Sequence, residues 1–341
     1  MTILLVILVL ICFWGVGLPR YQNDFFSIKT STAIKGIFSF LILFSHARSY
    51  LTLSNSWVNS IYCSLQDHLG QLIVAMFFFY SGFGIWESFK SKKDYEKSFF
   101  KKRFLKTLLH FDIAIALFIL VQLLIPIKYS LRQYLLCWIG WEDVGNSNWF
   151  IFVILCLYLI ALVSMYLQKR LYRGGLVVSV TLSAALWFFL RVVAGKESWW
   201  VDTIAAFPLG MIASLKKEQL QLFLSRRGIS FLITAGILVL FFFVHKTIGT
   251  DIYGIATCIF CCLVVVISSW LHLGNPVLDW AGRNAFTIYI IQRLPMIICS
   301  FFGLSNNPTV FLAITIPVTF LLAEGLSRLY KAIDSRLFVN A

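Results

Sequence analysis

Lys35 and His46 lie on one apolar segment, residues 33–50, with ten residues between them. A helix turns about 100° per residue, so His46 returns to within about 20° of Lys35 after about 16 Å of rise. Ionisable groups inside a bilayer are costly, usually face the bundle interior and are candidates for function. The alternative is that Lys35 extends to the lipid headgroups and that His46 makes its hydrogen bonds within the protein core. The segment alone leaves both interpretations open.

A second group of cations, Lys102, Arg103 and Lys106, stands where a predicted membrane helix begins. Their spacings of three and four residues predict one shared helix face. The N-terminus of a helix attracts anions, and lysine and arginine bind phosphates by charge-assisted hydrogen bonds. A patch that sets topology or binds anionic lipid is the alternative, and from this stretch alone it is favoured.

The composition identifies a membrane protein. Of 341 residues, 60% are hydrophobic and 13% are charged, and apolar runs of about 20 residues recur, each long enough to cross the hydrocarbon core. The sequence predicts an all-α, polytopic fold, without barrel strands and without a polar segment long enough for a soluble domain. The net charge of +14 is explained by loop topology, so no nucleic-acid partner is expected.

Charge in the loops predicts the orientation. Lysine and arginine collect in alternate loops, which the positive-inside rule assigns to the cytoplasm. The N-terminus is then outside and the C-terminus is cytoplasmic, with Lys35 at the inner mouth of its helix and His46 toward the outer half. The alternation holds over eleven predicted spans: 2–18, 33–50, 69–89, 106–127, 148–168, 175–194, 200–215, 228–245, 252–272, 284–303 and 309–330.

Further polar side chains lie inside or beside these spans. Hydroxyl, indole, amide and guanidinium groups are contributed by Tyr80, Ser81, Trp149, Tyr158, Tyr289, Gln292 and Arg293. Buried Gln292 and Arg293 need partners, and Glu324 in the last predicted span is one candidate. Gly82 and Gly84 predict close helix packing, and the tryptophans of loop 128–148 are a weak candidate for sugar stacking.

The eight cysteines predict neither a metal site nor a disulfide framework. Cys258, Cys261 and Cys262 share a predicted helix that has no histidine or charged partner, which favours packing over metal binding. Cys63 and Cys137 both fall in predicted outer loops, so a disulfide between them is left open.

These motifs, taken in order, resemble the acyltransferase-3 family of integral membrane acyltransferases. The family's basic residue followed by ten residues and a histidine appears as Lys35 to His46. The remaining matches run in the family's order: Phe77, Phe78, Ser81, Gly82 and Phe83; Arg103 and Lys106; Trp149, Phe150 and Tyr158; Tyr289, Gln292 and Pro295. The resemblance covers residues 27–335 of a single domain, 1–341, in which the helix 2–18 is an addition.

Several positions depart from the family pattern. Lys35 and Lys106 stand where arginine is commoner, which keeps the charge but loses bidentate geometry. Ile154 and Gln292 stand where many members have glutamate and histidine. This pattern is similar to the subgroup that is found among exopolysaccharide and capsule genes.

The resemblance implies an O-acetyltransferase of the cytoplasmic membrane. Acetyl-CoA would be a co-substrate, with no permanently bound cofactor, and a cell-surface or lipid-linked polysaccharide would accept the acetyl group. His46 would be the general base, while Lys35, Lys102, Arg103 and Lys106 would bind the donor. Contacts to the thioester carbonyl or the acceptor would come from Tyr80, Ser81, Trp149, Tyr158, Tyr289, Gln292 and Arg293.

Two other classes of function fit the same residues. A transporter or exporter of polysaccharide or lipid-linked glycan would use the intramembrane charges as a substrate path, without chemistry. A lipid-binding scaffold would need neither Lys35 nor His46. The sequence also leaves open a homo-oligomer.

The predicted orientation can be tested by labelling single cysteines in a chain without its native cysteines. An impermeant maleimide on intact cells should label Asn306→Cys but not Ser91→Cys, because the loop at 91 is rich in lysine and the loop at 306 is not. Ser91→Cys should react only after the membrane is permeabilised. Labelling of position 91 in intact cells would invert the topology.

Overall fold

The structure, a computed structural model, describes residues 1–16, 20–53, 56–171, 174–247 and 253–338. Within these ranges it is helical and has no β-strand. The first half contains α1 (Thr2–Phe13), α2 (Ile28–Arg48), α3 (Trp57–Leu69), α4 (Leu72–Ser91), α5 (Tyr95–Phe99), α6 (Lys106–Gln122), α7 (Leu131–Leu136) and α8 (Trp149–Arg170). A π-helical turn, Phe100–Leu105, joins α5 to α6.

The second half continues with shorter and more interrupted helices. They are α9 (Gly174–Phe188), α10 (Ala206–Leu215), α11 (Lys217–Leu224), α12 (Arg227–Thr247), α13 (Tyr253–Ser268), α14 (Pro276–Arg283), α15 (Ala285–Ile291), α16 (Arg293–Phe301) and α17 (Pro308–Leu337). A π-helical turn, Phe189–Val193, extends α9.

Six helices of the described chain are long and apolar enough to cross a membrane: Ile28–Arg48, Leu72–Ser91, Tyr95–Gln122, Trp149–Arg170, Gly174–Val193 and Pro308–Leu337. Two bent pairs, built from α11 with α12 and from α14 with α15 and α16, raise the number to eight. The polytopic helical fold is confirmed at this level. The count of eleven spans and the orientation stay predictions.

Some predicted boundaries were wrong. The predicted spans 2–18, 200–215 and 252–272 correspond to helices of only 12, 10 and 16 residues. The span expected at 284–303 is divided at Gln292, and α14 precedes it at an angle of 62°. The loop expected at 51–68 contains α3, whose polar face is bonded to the end of α2 through Arg48 and Asp67 at 2.7 Å.

Local capping explains where α2 and α14 begin. The Ser27 side chain accepts a hydrogen bond from the Thr30 amide at 3.1 Å, which satisfies a free amide of the first turn of α2. The Asn275 side chain does the same for α14, and Pro276 occupies the first helical position, where its missing amide proton costs nothing.

Helices α2 and α14 approach each other at backbone distance. A methyl group on Gly36 would overlap the Leu278 carbonyl oxygen, and one on Gly282 would overlap the Thr32 carbonyl oxygen. Each helix therefore contributes one glycine to the contact, and no other residue type fits either position without moving the helices apart.

Helices α4 and α10 repeat this arrangement. A methyl group on Gly82 would overlap the Phe207 carbonyl oxygen, and one on Gly210 would overlap the carbonyl oxygen of Phe79. The expected packing role of Gly82 is confirmed. The expectation for Gly84 was wrong, because a methyl group there would meet no atom within 4 Å; Gly84 lies on a cavity instead.

The contrast between Gly82 and Gly84 predicts different effects of the same substitution. Gly82→Ala should destabilise the protein by about 1–3 kcal/mol, since the added methyl group forces α4 and α10 apart. Gly84→Ala, on the same helix, should leave stability unchanged or raise it slightly. Thermal unfolding of the purified proteins in detergent measures both, and equal midpoints for the two variants would contradict the proposed contact.

Candidate functional site

A cavity of about 780 Å³ lies between α2, α4, α8 and α15, with the π-helical turn and the start of α6 closing one side. Its volume is in the range of small-molecule sites. Helix α2 lines it with Lys35 and, seven residues later, Ile42. The helix face predicted from the spacing of Lys35 and His46 is therefore the face of α2 that borders the cavity.

One end of the cavity is strongly cationic. The charged residues of its lining are Lys35, Lys92, Arg103, Lys217, Arg283 and a single carboxylate, Glu87. That carboxylate is already engaged, by Lys90 at 2.5 Å and by the Ser214 hydroxyl at 2.7 Å, with Lys217 at 3.5 Å. An excess of positive charge in a partly enclosed space attracts anions.

Lys35 and Arg103 are the two cations that come from helix interiors. Neither forms an ion pair with any carboxylate of the described residues, and the one hydrogen bond that Arg103 donates goes from Nε to the Tyr95 hydroxyl at 3.4 Å. Arg103 lies in the π-helical turn Phe100–Leu105. The wider backbone repeat of this turn directs the Arg103 side chain toward α4 and α8. Tyr158, with Ser81 and Thr107, lies beside it on the cavity wall.

The other end of the cavity is aromatic. Tyr80, Phe150 and Tyr289 line it, and the rings of Phe150 and Tyr289 are 5.1 Å apart in an edge-to-face contact. The hydroxyl groups of Tyr80 and Tyr289 are buried and form no hydrogen bond with another described residue. This end therefore contains two buried hydroxyl groups, and that of Tyr289 lies beside the Ser147 side chain.

His46 lies immediately behind this aromatic wall. Its ring centroid is 6.1 Å from that of Tyr289, and its Nδ1 atom is 3.5 Å from the Ser147 hydroxyl. His46 does not line the cavity itself. The structure thus places Lys35 in the cavity and His46 one aromatic ring beyond it.

Lys106 and Lys102 do not line the cavity, contrary to the predicted shared face. Lys106 forms an ion pair with Asp334 of α17 at 2.6 Å, and His110 contacts the same carboxylate at 3.0 Å. Lys102 is exposed. The three cations do not share one face because the continuous helical segment Tyr95–Gln122 includes the π-helical turn Phe100–Leu105, which changes the direction of the following side chains.

Gln292 and Arg293 lie on the His46 side of the wall. Gln292 is fully buried and donates to the Tyr289 carbonyl oxygen at 3.4 Å, while its own Oε1 has no partner in the described chain. Arg293 donates to the Asn146 carbonyl oxygen at 3.3 Å. The candidate partner Glu324 has other contacts: it accepts from Trp280 and Arg328, each at 2.9 Å.

The tryptophans near the predicted outer loop have structural partners. Trp149 packs against Phe78 and Phe150, at ring-centroid distances of 6.4 and 6.2 Å. Trp141 and Trp200 enclose the Lys196 ammonium group, 4.1 and 4.3 Å from the two ring centroids. Cys63 and Cys137 are both free cysteines, so the disulfide that was left open is not formed.

Several residues of the site have no distinct signal in the sequence. Lys92, Lys217 and Arg283 belong to the cations of the lysine- and arginine-rich loops, and each stands at the end of a predicted span. Ser147 was not singled out. Its only local signal is the polar run N-S-N at 146–148, directly before a long apolar helix.

Comparison with known families identifies the chain. A family model described as an acyltransferase domain matches residues 28–327. Searches of curated proteins and of solved structures gave no match. Because the family model covers most of the chain, this multi-pass helical protein is a membrane acyltransferase and belongs to the acyltransferase-3 family.

Proposed function

We propose that the protein is an O-acetyltransferase that moves acetyl from cytoplasmic acetyl-CoA to a hydroxyl group of a cell-surface or lipid-linked polysaccharide. The observation that carries this proposal is the cavity, which is cationic at one end and reaches an aromatic wall with His46 directly behind it. A nucleotide-bearing thioester needs both features, a site for its phosphates and a base near its carbonyl.

The cationic end is suited to the phosphate groups of the donor. Arg103 offers guanidinium donors that no described carboxylate occupies, and Lys35, Lys92, Lys217 and Arg283 add charge around it. Charge-assisted bonds to phosphate are among the stronger hydrogen bonds in proteins. All five residues stand near span ends that the charge pattern assigns to the cytoplasm, where acetyl-CoA is found.

The distance along α2 agrees with the length of the donor. Lys35 and His46 are separated by about 16 Å of helix rise, and the pantetheine arm is an extended chain of comparable length. Phosphates held near Lys35 and Arg103 would bring the thioester to Tyr80 and Tyr289, whose unpartnered hydroxyls can donate to its carbonyl oxygen.

His46 would remove the proton from the acceptor hydroxyl. A neutral imidazole is a suitable general base near pH 7, and the acceptor would approach from the Ser147 side, opposite the cationic end. The polysaccharide acceptor follows from the resemblance to the exopolysaccharide and capsule subgroup.

His46→Ala should reduce glycan acetylation roughly 10²–10⁴-fold, the usual effect of losing a general base. The variant should still enter the membrane and bind CoA, because His46 does not line the cavity. Mass spectrometry of the surface glycan measures the acetylation, and binding of CoA to the purified variant is the control. A fully acetylated glycan in cells that carry only this variant would exclude the catalytic role.

Arg103→Ala should raise the KM for acetyl-CoA roughly ten- to hundredfold and change kcat little, because one charge-assisted phosphate contact is lost. Initial rates over a range of acetyl-CoA concentrations give both constants.

Two neighbouring lysines are matched controls for Arg103. Lys102→Ala removes a cation that is one residue from Arg103 but does not line the cavity. The KM of this variant for acetyl-CoA should be unchanged. Lys106→Ala should also keep its KM but lose thermal stability, since Asp334 loses its ion pair. A KM that rises in Lys106→Ala as much as in Arg103→Ala would show that net charge, rather than the cavity, binds the donor.

A further inference from the structure

Ser147 has a buried hydroxyl group next to the proposed base. It is 5% exposed, stands two residues before α8, and its Oγ lies 3.5 Å from His46 Nδ1. A serine within reach of a histidine is the arrangement by which proteins activate a hydroxyl nucleophile, and such contacts are often long before substrate binds.

The backbone next to Ser147 can stabilise negative charge. Helix α8 begins at Trp149, and its N-cap residue, Asn148, donates its side-chain amide to the Gly140 carbonyl oxygen at 3.1 Å instead of capping the helix. The first amide groups of α8 are therefore not bonded by the cap side chain. The N-terminus of a long helix carries partial positive charge, and free amides there are suited to an oxyanion.

Buried polar atoms with no partner in the described chain belong to residues that neighbour Ser147 and His46, which is independent support for a ligand group there. The Tyr289 hydroxyl lies beside the Ser147 side chain and the Phe150 amide without forming a hydrogen bond of normal geometry to any described residue. Asn146 Nδ2 and Arg293 Nε are likewise buried and unpartnered within the described chain. Buried donors of this kind cost free energy unless something accepts from them.

We propose that Ser147 is the nucleophile that carries the acyl group between the donor in the cavity and the acceptor behind the aromatic wall. This inference rests on the proposed acetyltransferase function and adds a covalent intermediate to it. Tyr289 lines the cavity and its ring is 6.1 Å from that of His46, so rotation of its side chain would bring the thioester carbonyl next to Ser147.

The proposed steps balance. His46 takes the Ser147 proton as Oγ attacks the thioester carbonyl; the C–S bond breaks, and the departing CoA thiolate takes that proton from His46. Then His46 takes the proton of the acceptor hydroxyl as its oxygen attacks the serine ester. The bond from Oγ to the acyl carbon breaks, and Ser147 Oγ takes the proton back. Donor and acceptor need never be bound together, so the kinetics are ping-pong.

The test uses purified full-length protein and acetyl-CoA alone, without acceptor. The wild type should release a burst of CoA thiol close to one equivalent, and peptide mass spectrometry after an acid quench should find the acetyl group on Ser147. Ser147→Ala should show no burst and no labelled serine, and its acetylation of glycan in cells should fall roughly 10²–10⁴-fold. Ser147→Cys should retain the label in a form that neutral hydroxylamine removes.

Ser45→Ala is the matched control. Ser45 precedes His46 on α2, but its hydroxyl accepts from Gln66 at 2.6 Å and does not contact the histidine. Its burst and its glycan acetylation should equal those of the wild type.

The remaining outcomes separate the two proposals. If Ser147→Ala acetylates glycan at the wild-type rate while His46→Ala does not, the serine intermediate is wrong and the acetyltransferase stands. An acetyl group on His46 or Tyr289 instead of Ser147 overturns the assignment in the same way. If wild-type protein neither binds nor consumes acetyl-CoA, and cells lacking the protein keep their glycan acetylation, both proposals fall.

Discussion

The close contact of backbones at four glycines is the constraint on which the site depends. Gly36 and Gly82 each face a carbonyl oxygen of a partner helix, and the residue just before each one, Lys35 and Ser81, lines the cavity. Successive residues of a helix point about 100° apart. A glycine that fixes the partner helix therefore also fixes the direction of its neighbour, so the packing of α2 and α4 sets where these polar side chains point.

The cations of the cavity differ from those elsewhere in the protein in whether a carboxylate pairs with them. Where cations hold helices together they have carboxylate partners, as Lys106 has in Asp334 and Lys169 has in the buried Glu96. Lys35 and Arg103 have none among the described residues. Lys35 is half-buried, and a partly buried cation without a partner costs stability. A site that binds an anion in use gives a physical reason for that cost.

The sequence predicted the parts of the site that depend on local periodicity. The segment with Lys35 and His46 forms one regular helix, α2, as predicted, because a regular helix has a fixed repeat. The same logic failed at Arg103 and Lys106, where a π-helical turn interrupts the repeat. The partner of Lys106 is 228 residues away along the chain, at Asp334, and a contact of that sequence separation has no local pattern.

Ser147 was missed for a related reason. Its chemical setting is created by two residues distant in sequence, His46 and Tyr289, and by the start of α8 beside it. The short helix α3 was missed because segment 57–69 is too polar and too short to register as a span. Hydropathy identifies helices that cross the hydrocarbon core, but it does not distinguish a loop from a helix that packs across the end of another.

The aromatic wall gives the site a chemical advantage that neither the cations nor His46 supplies alone. Water competes with any sugar hydroxyl for an activated acyl group, and it is present at far higher concentration. Phe150 and Tyr289, in edge-to-face contact, separate the donor cavity from the imidazole. A thioester in the cavity is then separated from the imidazole until the Tyr289 side chain moves, so the base does not activate water beside it before transfer. Excluding water in this way also strengthens the polar contacts that remain, so the wall limits hydrolysis and favours transfer to the intended hydroxyl.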